Sequence, residues 1–243
     1  MRVSTTEARA KAQTFIAGYP SLKAGVVRIV YFFLIIPKLS FCQNENALLQ
    51  QVDKQLSTNA KSVTEILQDP AYMKLHSLTA FREVIKKNAK PEKITLVNTS
   101  EPGTPVTIKV KLNGKGSLAD LLVYVYHTDN RGWYSDTGAH VLMREGDRGH
   151  ARLFGYMRTD HDGNISFNTI HPQGYPNSDL PQHIHLEVFE KNGTNLLITE
   201  LLFDDDTRLT ANARKRASQE GFVIARNAGS KQMQQYSYLV ALR

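Results

Sequence analysis

Two histidines one residue apart, His183 and His185, stand in the run His183-Ile184-His185-Leu186-Glu187-Val188-Phe189. Its apolar alternation reads as a β-strand, in which side chains two apart point to the same face. Both imidazoles can then reach one ion, while Ile184 faces the opposite layer. Such a pair can equally be a hydrogen-bonded surface pair. Two tyrosines in turn-rich settings widen the donor set. One is Tyr134 in Gly132-Trp133-Tyr134. The other is Tyr175 in Thr169-Ile170-His171-Pro172-Gln173-Gly174-Tyr175-Pro176. Taken singly, each would be a packed aromatic with its hydroxyl bonded. Cys42 is the only cysteine, which excludes disulfide frameworks, thiolate metal sites and cysteine nucleophiles in the folded domain.

Taken in order, these segments follow a known pattern. Gly132-x-Tyr134 comes first, then Thr159-Asp160-x-x-Gly163-x-x-x-Phe167-x-Thr169-Ile170-x-Pro172-x-x-Tyr175-Pro176, then His183-Ile184-His185. The chain resembles the intradiol ring-cleavage dioxygenases, the family of catechol and protocatechuate dioxygenases, over roughly residues 102–206. The resemblance implies non-haem Fe(III) held by Tyr134, Tyr175, His183 and His185. It also implies a catechol-type substrate cleaved by O2 between its two hydroxyl-bearing carbons. Tyr175 matches the tyrosine that the substrate displaces, and so would double as base for a substrate hydroxyl. Phenolates are hard anionic donors suited to a hard trivalent ion, which must pull the phenol pKa down from about 10. This differs from the two-histidine, one-carboxylate site that holds Fe(II) in other oxygenases.

The match departs from the family at two positions. An arginine usually stands three residues before the first histidine, where it stabilises charge developing on the substrate; here that position is Leu180. A preorganised cation of that kind contributes a few kcal/mol, so its loss bears on turnover more than on iron binding. Arg158 or Arg152 could supply a substitute charge. The aromatic that often follows the Tyr-Pro pair is Asn177. A binding module that holds iron or an aromatic without cleaving it is the main rival. A cupin reading, with Glu190 as third ligand, needs a later histidine, and none follows His185.

The elements that must position these residues are mainly β. Ile94–Val97, Val106–Val110, Leu121–Tyr126, Ala151–Arg158, Asn164–Phe167, His183–Phe189, Leu196–Phe203 and Tyr236–Ala241 read as strands. Asp162-Gly163 and Asn192-Gly193 predict tight hairpins with positive φ at both centres. Many short strands joined by turns predict an antiparallel β-sandwich, assigned to residues 93–243 with a polar C-terminal extension. Before it, residues 43–92 carry apolar residues at helical spacing, including Leu48, Leu49, Val52 and Leu56. Ser62 and Glu65 form a capping-box pair, and Asp69-Pro70 a stop.

Residues 1–42 read as an export signal and leader. Arg28 precedes the apolar run Ile29–Ile36, which at about 12 Å as a helix is far short of a bilayer core of about 30 Å. A positive region before a short apolar core is the shape of a secretory signal, with a start near Val26 or Val27 accounting for the long polar lead-in. Any membrane association then runs through this signal or a lipid on Cys42. The segment holds Arg2, Arg9, Lys11, Lys23, Arg28 and Lys38 against Glu7, a net of +5 out of the chain's +7. The folded part is left with +2, so the basic balance gives no reason to expect a nucleic-acid partner.

Overall fold

The computed structural model describes residues 44–230 and 232–242; the expected export signal lies outside them. The compact unit that carries the site runs from Ala47 to Arg243. Its first element is the part from residue 47 onward of a helix over 44–57 (α1), followed by α2 (Val63–Gln68), a 3-10 turn (Pro70–Leu75) and α3 (Thr79–Lys87). The capping box forms as expected: the Ser62 hydroxyl accepts the Glu65 amide, and the Glu65 carboxylate accepts the Ser62 amide. Among the described residues no helix is long and apolar enough to cross a membrane.

Nine strands follow, with two further helices: β1 (Ile94–Thr95), β2 (Pro105–Asn113), β3 (Leu122–His127), α4 (Gly146–His150), β4 (Leu153–Arg158), β5 (Asn164–Ile170), β6 (His183–Phe189), β7 (Asn195–Phe203), α5 (Ala211–Glu220), β8 (Val223–Ala225) and β9 (Gln234–Ala241). They form a four-stranded sheet, β1-β5-β2-β9, and a five-stranded sheet, β4-β3-β6-β7-β8. The sheets pack face to face: Ile108, Phe167 and Tyr236 of the first meet Val125, Leu186, Leu201 and Phe203 of the second in one buried cluster. Phe203 and Tyr236 touch edge to face across the layer, at 4.8 Å between centroids.

The sandwich is mainly antiparallel, with three parallel pairings: β1 with β5, β2 with β9, and β7 with β8. Parallel neighbours need a crossover, and α5 supplies it between β7 and β8. The two Gly turns depart from the two-residue form. In each, the glycine amide donates to a carbonyl three residues back, Gly163 to Asp160 and Gly193 to Glu190. Only the glycines have positive φ, 78° and 88°. This is the three-residue turn ending in a left-handed residue. Asn192-Gly193 closes a true hairpin between β6 and β7. Asp162-Gly163 does not, because β4 and β5 belong to different sheets, and the turn carries the chain from one layer to the other.

β3 is buried on both faces. Val123 and Val125 enter the core, while Tyr124 and Tyr126 lie on the outer face of the five-stranded sheet under the helical segments. There Arg82 of α3, itself 3% exposed, donates to the Tyr124 hydroxyl at 2.7 Å. Arg148 of α4 grips Glu187 of β6 at 2.7 and 2.8 Å. Register places Tyr126 beside His185, and His185 beside Glu200 of β7. The candidate site is built on that row.

Candidate metal centre

Period-two alternation does what the sequence predicts: Ile184 is fully buried in the core, and His183 and His185 leave β6 on the outer face. Their Nε2 atoms lie 3.2 Å apart. The ring of His185 stacks on Tyr126 at 4.4 Å, which fixes its plane.

The tyrosines arrive on two loops clamped to each other. Asp129 accepts the amides of Arg131 and Trp133, shaping the turn before Tyr134. Its carbonyl takes the Gln173 amide of the second loop at 3.1 Å, and the Thr128 hydroxyl donates to the Gln173 carbonyl at 2.6 Å. Gly132, at φ 79°, lies so close to the Gly174 carbonyl that a Cβ would collide with it; glycine alone permits this approach.

The result is a closed quartet of donor atoms. Tyr134 Oη lies 2.7 Å from Tyr175 Oη and 2.7 Å from His185 Nε2, and Tyr175 Oη lies 2.9 Å from His183 Nε2. With the 3.2 Å between the imidazoles, the four atoms surround a common point about 2 Å from each, the length of an ordinary metal bond to oxygen or nitrogen. All four residues predicted from sequence are therefore brought together.

Proton counting shows what such a cluster lacks. His183 Nδ1 faces the Pro181 carbonyl at 2.7 Å, which only an N–H can satisfy, so in the neutral ring Nε2 presents a lone pair. Two phenol protons, plus one if His185 carries its proton on Nε2, serve four short contacts. At least one contact is lone pair against lone pair. A cation at the centre would accept a lone pair from each of the four atoms and offset their mutual repulsion, and a carbonyl-fixed imidazole is the usual support of a metal-bound histidine.

Electrostatics agree with this requirement. Burial raises the Tyr134 phenol far above its ordinary value, helped by Tyr175, and pushes Tyr175 up to about 12. Burial, with His183 beside it, lowers His185 to about 3. Neutral phenols and imidazoles thus meet at a site where a strong Lewis acid would be needed to form phenolates. The residues fit ferric iron.

Sequence reasoning missed a third kind of group here. Glu200 lies 3.8 Å from His185 Nδ1, and His183, His185 and Glu200 form a group able to hold a metal ion. Burial raises the Glu200 carboxyl. A lone acid in the apolar strand Asn195–Phe203 was the available signal. Beside the quartet opens a cavity of about 260 Å3, bordered by Tyr175, Leu180, His183, Glu200, Arg216 and Phe222 among others. Neither arginine considered as a replacement for the one absent at Leu180 borders it. Arg152 is held by Glu101 at 2.6 and 2.7 Å, and Arg158 reaches the carbonyl of Asp120. The guanidinium at this cavity is Arg216, from α5.

A two-sheet sandwich thus carries a tyrosine–histidine quartet of ligand-type atoms on the outer face of one sheet. The dioxygenase family model matches residues 80–243, and the chain belongs to that family, the intradiol type that its motifs resemble. Among solved structures it is similar to the dioxygenase domain of a dioxygenase–carbohydrate-binding fusion from Streptomyces sp. SirexAA-E, at 22% identity and TM-score 0.48, over 63% of this chain and 88% of that one. It is also similar to an intradiol ring-cleavage dioxygenase from Tetranychus urticae, at 16% and 0.45, over 64% and 85%. A third is catechol 1,2-dioxygenase from Pseudomonas arvilla C-1, at 15% and 0.47, over 96% and 89%. No protein of curated function matches the chain.

Proposed function

We propose that the protein is a non-haem ferric dioxygenase that opens a catechol-type ring between its two hydroxyl-bearing carbons, with Tyr134, Tyr175, His183 and His185 holding the iron. The observation that carries this reading is the closed quartet, two phenol oxygens and two imidazole nitrogens with more lone pairs than protons to join them. Bound ferric iron would supply Lewis acidity toward a diol and a one-electron acceptor that primes the ring for O2.

The chain's own residues divide the remaining work. Tyr134, 1% exposed and sealed under its loop, is the permanent phenolic donor. Tyr175 borders the cavity and, where bound iron would hold it as a phenolate, would take a proton from a substrate hydroxyl at Oη. His183 and His185 stay in position, the first by the Pro181 carbonyl and the second by the Tyr126 stack. Both atoms of O2 end in the two carboxyl groups of the opened product, so no other reductant is consumed.

The test is to load the full chain with ferric iron and record visible spectra without oxygen, before and after adding catechol, then admit air and identify products. The reading expects a broad phenolate-to-iron band, a shift with catechol and a ring-opened dicarboxylate. Protein that stays colourless after loading defeats it. Leu180 in the place of the family's arginine favours a second reading, an iron and aromatic binder; a catechol-induced shift with no ring-opened product would decide for it. The apolar run after Arg28 supports export as the setting, to be tested by N-terminal sequencing of the mature protein.

A further inference from the structure

The two phenolic donors reach the quartet from backbones held in unlike ways. Tyr134 is fixed by main chain on both sides: its amide donates to the Ala139 carbonyl at 3.2 Å, and its carbonyl accepts the Arg152 amide at 2.7 Å. Tyr175 stands where a clamped loop gives way to an exposed one. Upstream, Gln173 is tied to Thr128 and Asp129; downstream, the Gln182 amide donates to Asp206 at 2.6 Å. Between these ties Pro176, Asn177, Asp179 and Leu180 are exposed. Among the described residues, one hydrogen bond from elsewhere in the chain reaches the backbone of residues 174–180. It comes from Arg208, on the connection between β7 and α5, whose Nη1 donates to the Tyr175 carbonyl at 3.3 Å. The guanidinium fills the space beside Gly174, where a Cβ would collide with it.

Resting on the proposed ring cleavage, we infer that Arg208 is a positioning residue that sets how readily Tyr175 gives up its place to the substrate. The rings of His140, His183 and Tyr134 stand around that of Tyr175 at 4.8, 5.3 and 5.8 Å. Oη therefore leaves the quartet with its backbone rather than by rotation of the ring alone. The Arg208 bond is made while Oη sits in the quartet, so it favours that arrangement and opposes entry of a diol. An equilibrium between two arrangements moves by as much as an interaction differs between them. Removing the bond thus has two consequences of opposite sign. Iron without substrate loses support for its fourth donor, whereas a diol meets less resistance in displacing Tyr175. A general loosening of the fold would weaken both.

The experiment compares the full chain with Arg208→Gln, Gly174→Ala and the double variant by oxygen-free spectral titration, first with ferric iron and then with catechol. Arg208→Gln should weaken iron binding about fivefold and tighten catechol binding about fivefold, the weight of one ordinary hydrogen bond. Gly174→Ala should do the same with Arg208 still in the chain, because the added methyl meets the far end of a flexible side chain and pushes it aside. The double variant should go no further than either single one, as expected of two changes that break one contact. Thermal melting of the metal-free proteins shows that each variant has folded. Catechol binding that weakens or stays unchanged in Arg208→Gln would overturn the inference. So would a Gly174→Ala variant that behaves like the unaltered protein, or single effects that add in the double variant. If the unaltered protein forms no iron band, or catechol does not shift it, the ring-cleavage reading itself fails and takes this inference with it. If band and shift are present but the two affinities move together, only the inference fails.

Discussion

Two buried polar clusters lie side by side between the same loops, and they are built on opposite principles. In the first, each charge or donor has its complement. His127 is fully buried with Nδ1 against the Thr128 carbonyl and Nε2 against the Thr169 hydroxyl, both at 2.7 Å, and Arg152 is paired with Glu101 through two hydrogen bonds. In the second, Tyr134, Tyr175, His183 and His185 point four basic atoms at one another with too few protons between them. A complemented cluster holds the fold together, because any unpaired buried group costs free energy. An uncomplemented one of ligand-type atoms is the arrangement expected if the proposed iron sits among them.

The largest test of this contrast is Tyr134→Phe. Ferric affinity should fall by more than about 100-fold, beyond the usual effect of a supporting residue, and the visible band should go, as followed by iron titration and absorbance. Metal-free stability should hold within about 1 kcal/mol, because the lost hydroxyl was not properly satisfied. A loss of several kcal/mol with the iron band unchanged would place the quartet with the structural cluster instead.

Glu101→Gln is the reciprocal variant. It removes the two-pronged partner of Arg152 while leaving Asp129 at 3.5 Å and Asp136 at 3.0 Å, and should cost about 2 kcal/mol, a drop of some 4–8 °C in Tm for a chain of this size. Iron affinity should move less than about threefold, measured in the same titration.

Acid should act on the complemented cluster too. Burial holds His127 down to about 4, below the unfolded value near 6.5. The unfolded chain therefore binds the extra proton first, and stability is lost as pH falls from 6.5 toward 4. The loss should reach about 3 kcal/mol from this histidine in denaturant titrations of the metal-free protein.

The smallest effect belongs to a pair that is neither buried nor crowded. Lys87, 64% exposed, meets Asp53 at 3.1 Å, and Lys87→Ala should change stability by no more than about 0.5 kcal/mol.

How much of this was legible varies with the physics of each element. β6 is where its alternation placed it, His183–Phe189, and the capping box of α2 formed as its residue types require. Helix α5 gave no comparable signal, because Ala217 is its one buried residue and a polar helix without an apolar stripe looks like loop. Glu200 was readable as a charge in an apolar strand, but its placement opposite His185 depends on the β6–β7 register. Arg216 reaches the cavity through a crossover whose course no local pattern encodes.

The sequence by itself determined the donor types and the pairing of His183 with His185, since alternation along a strand is a local property of the backbone. It also determined that Gly132 and Gly174 could lie where larger residues could not. Only the tertiary structure decided that Tyr134 and Tyr175, 41 residues apart, bring their oxygens to the same point as those imidazoles. That convergence depends on two loops held together by Asp129, Thr128 and Gln173 above a packed sandwich, and non-local closure of this kind is stabilised by the whole core rather than by any motif within it.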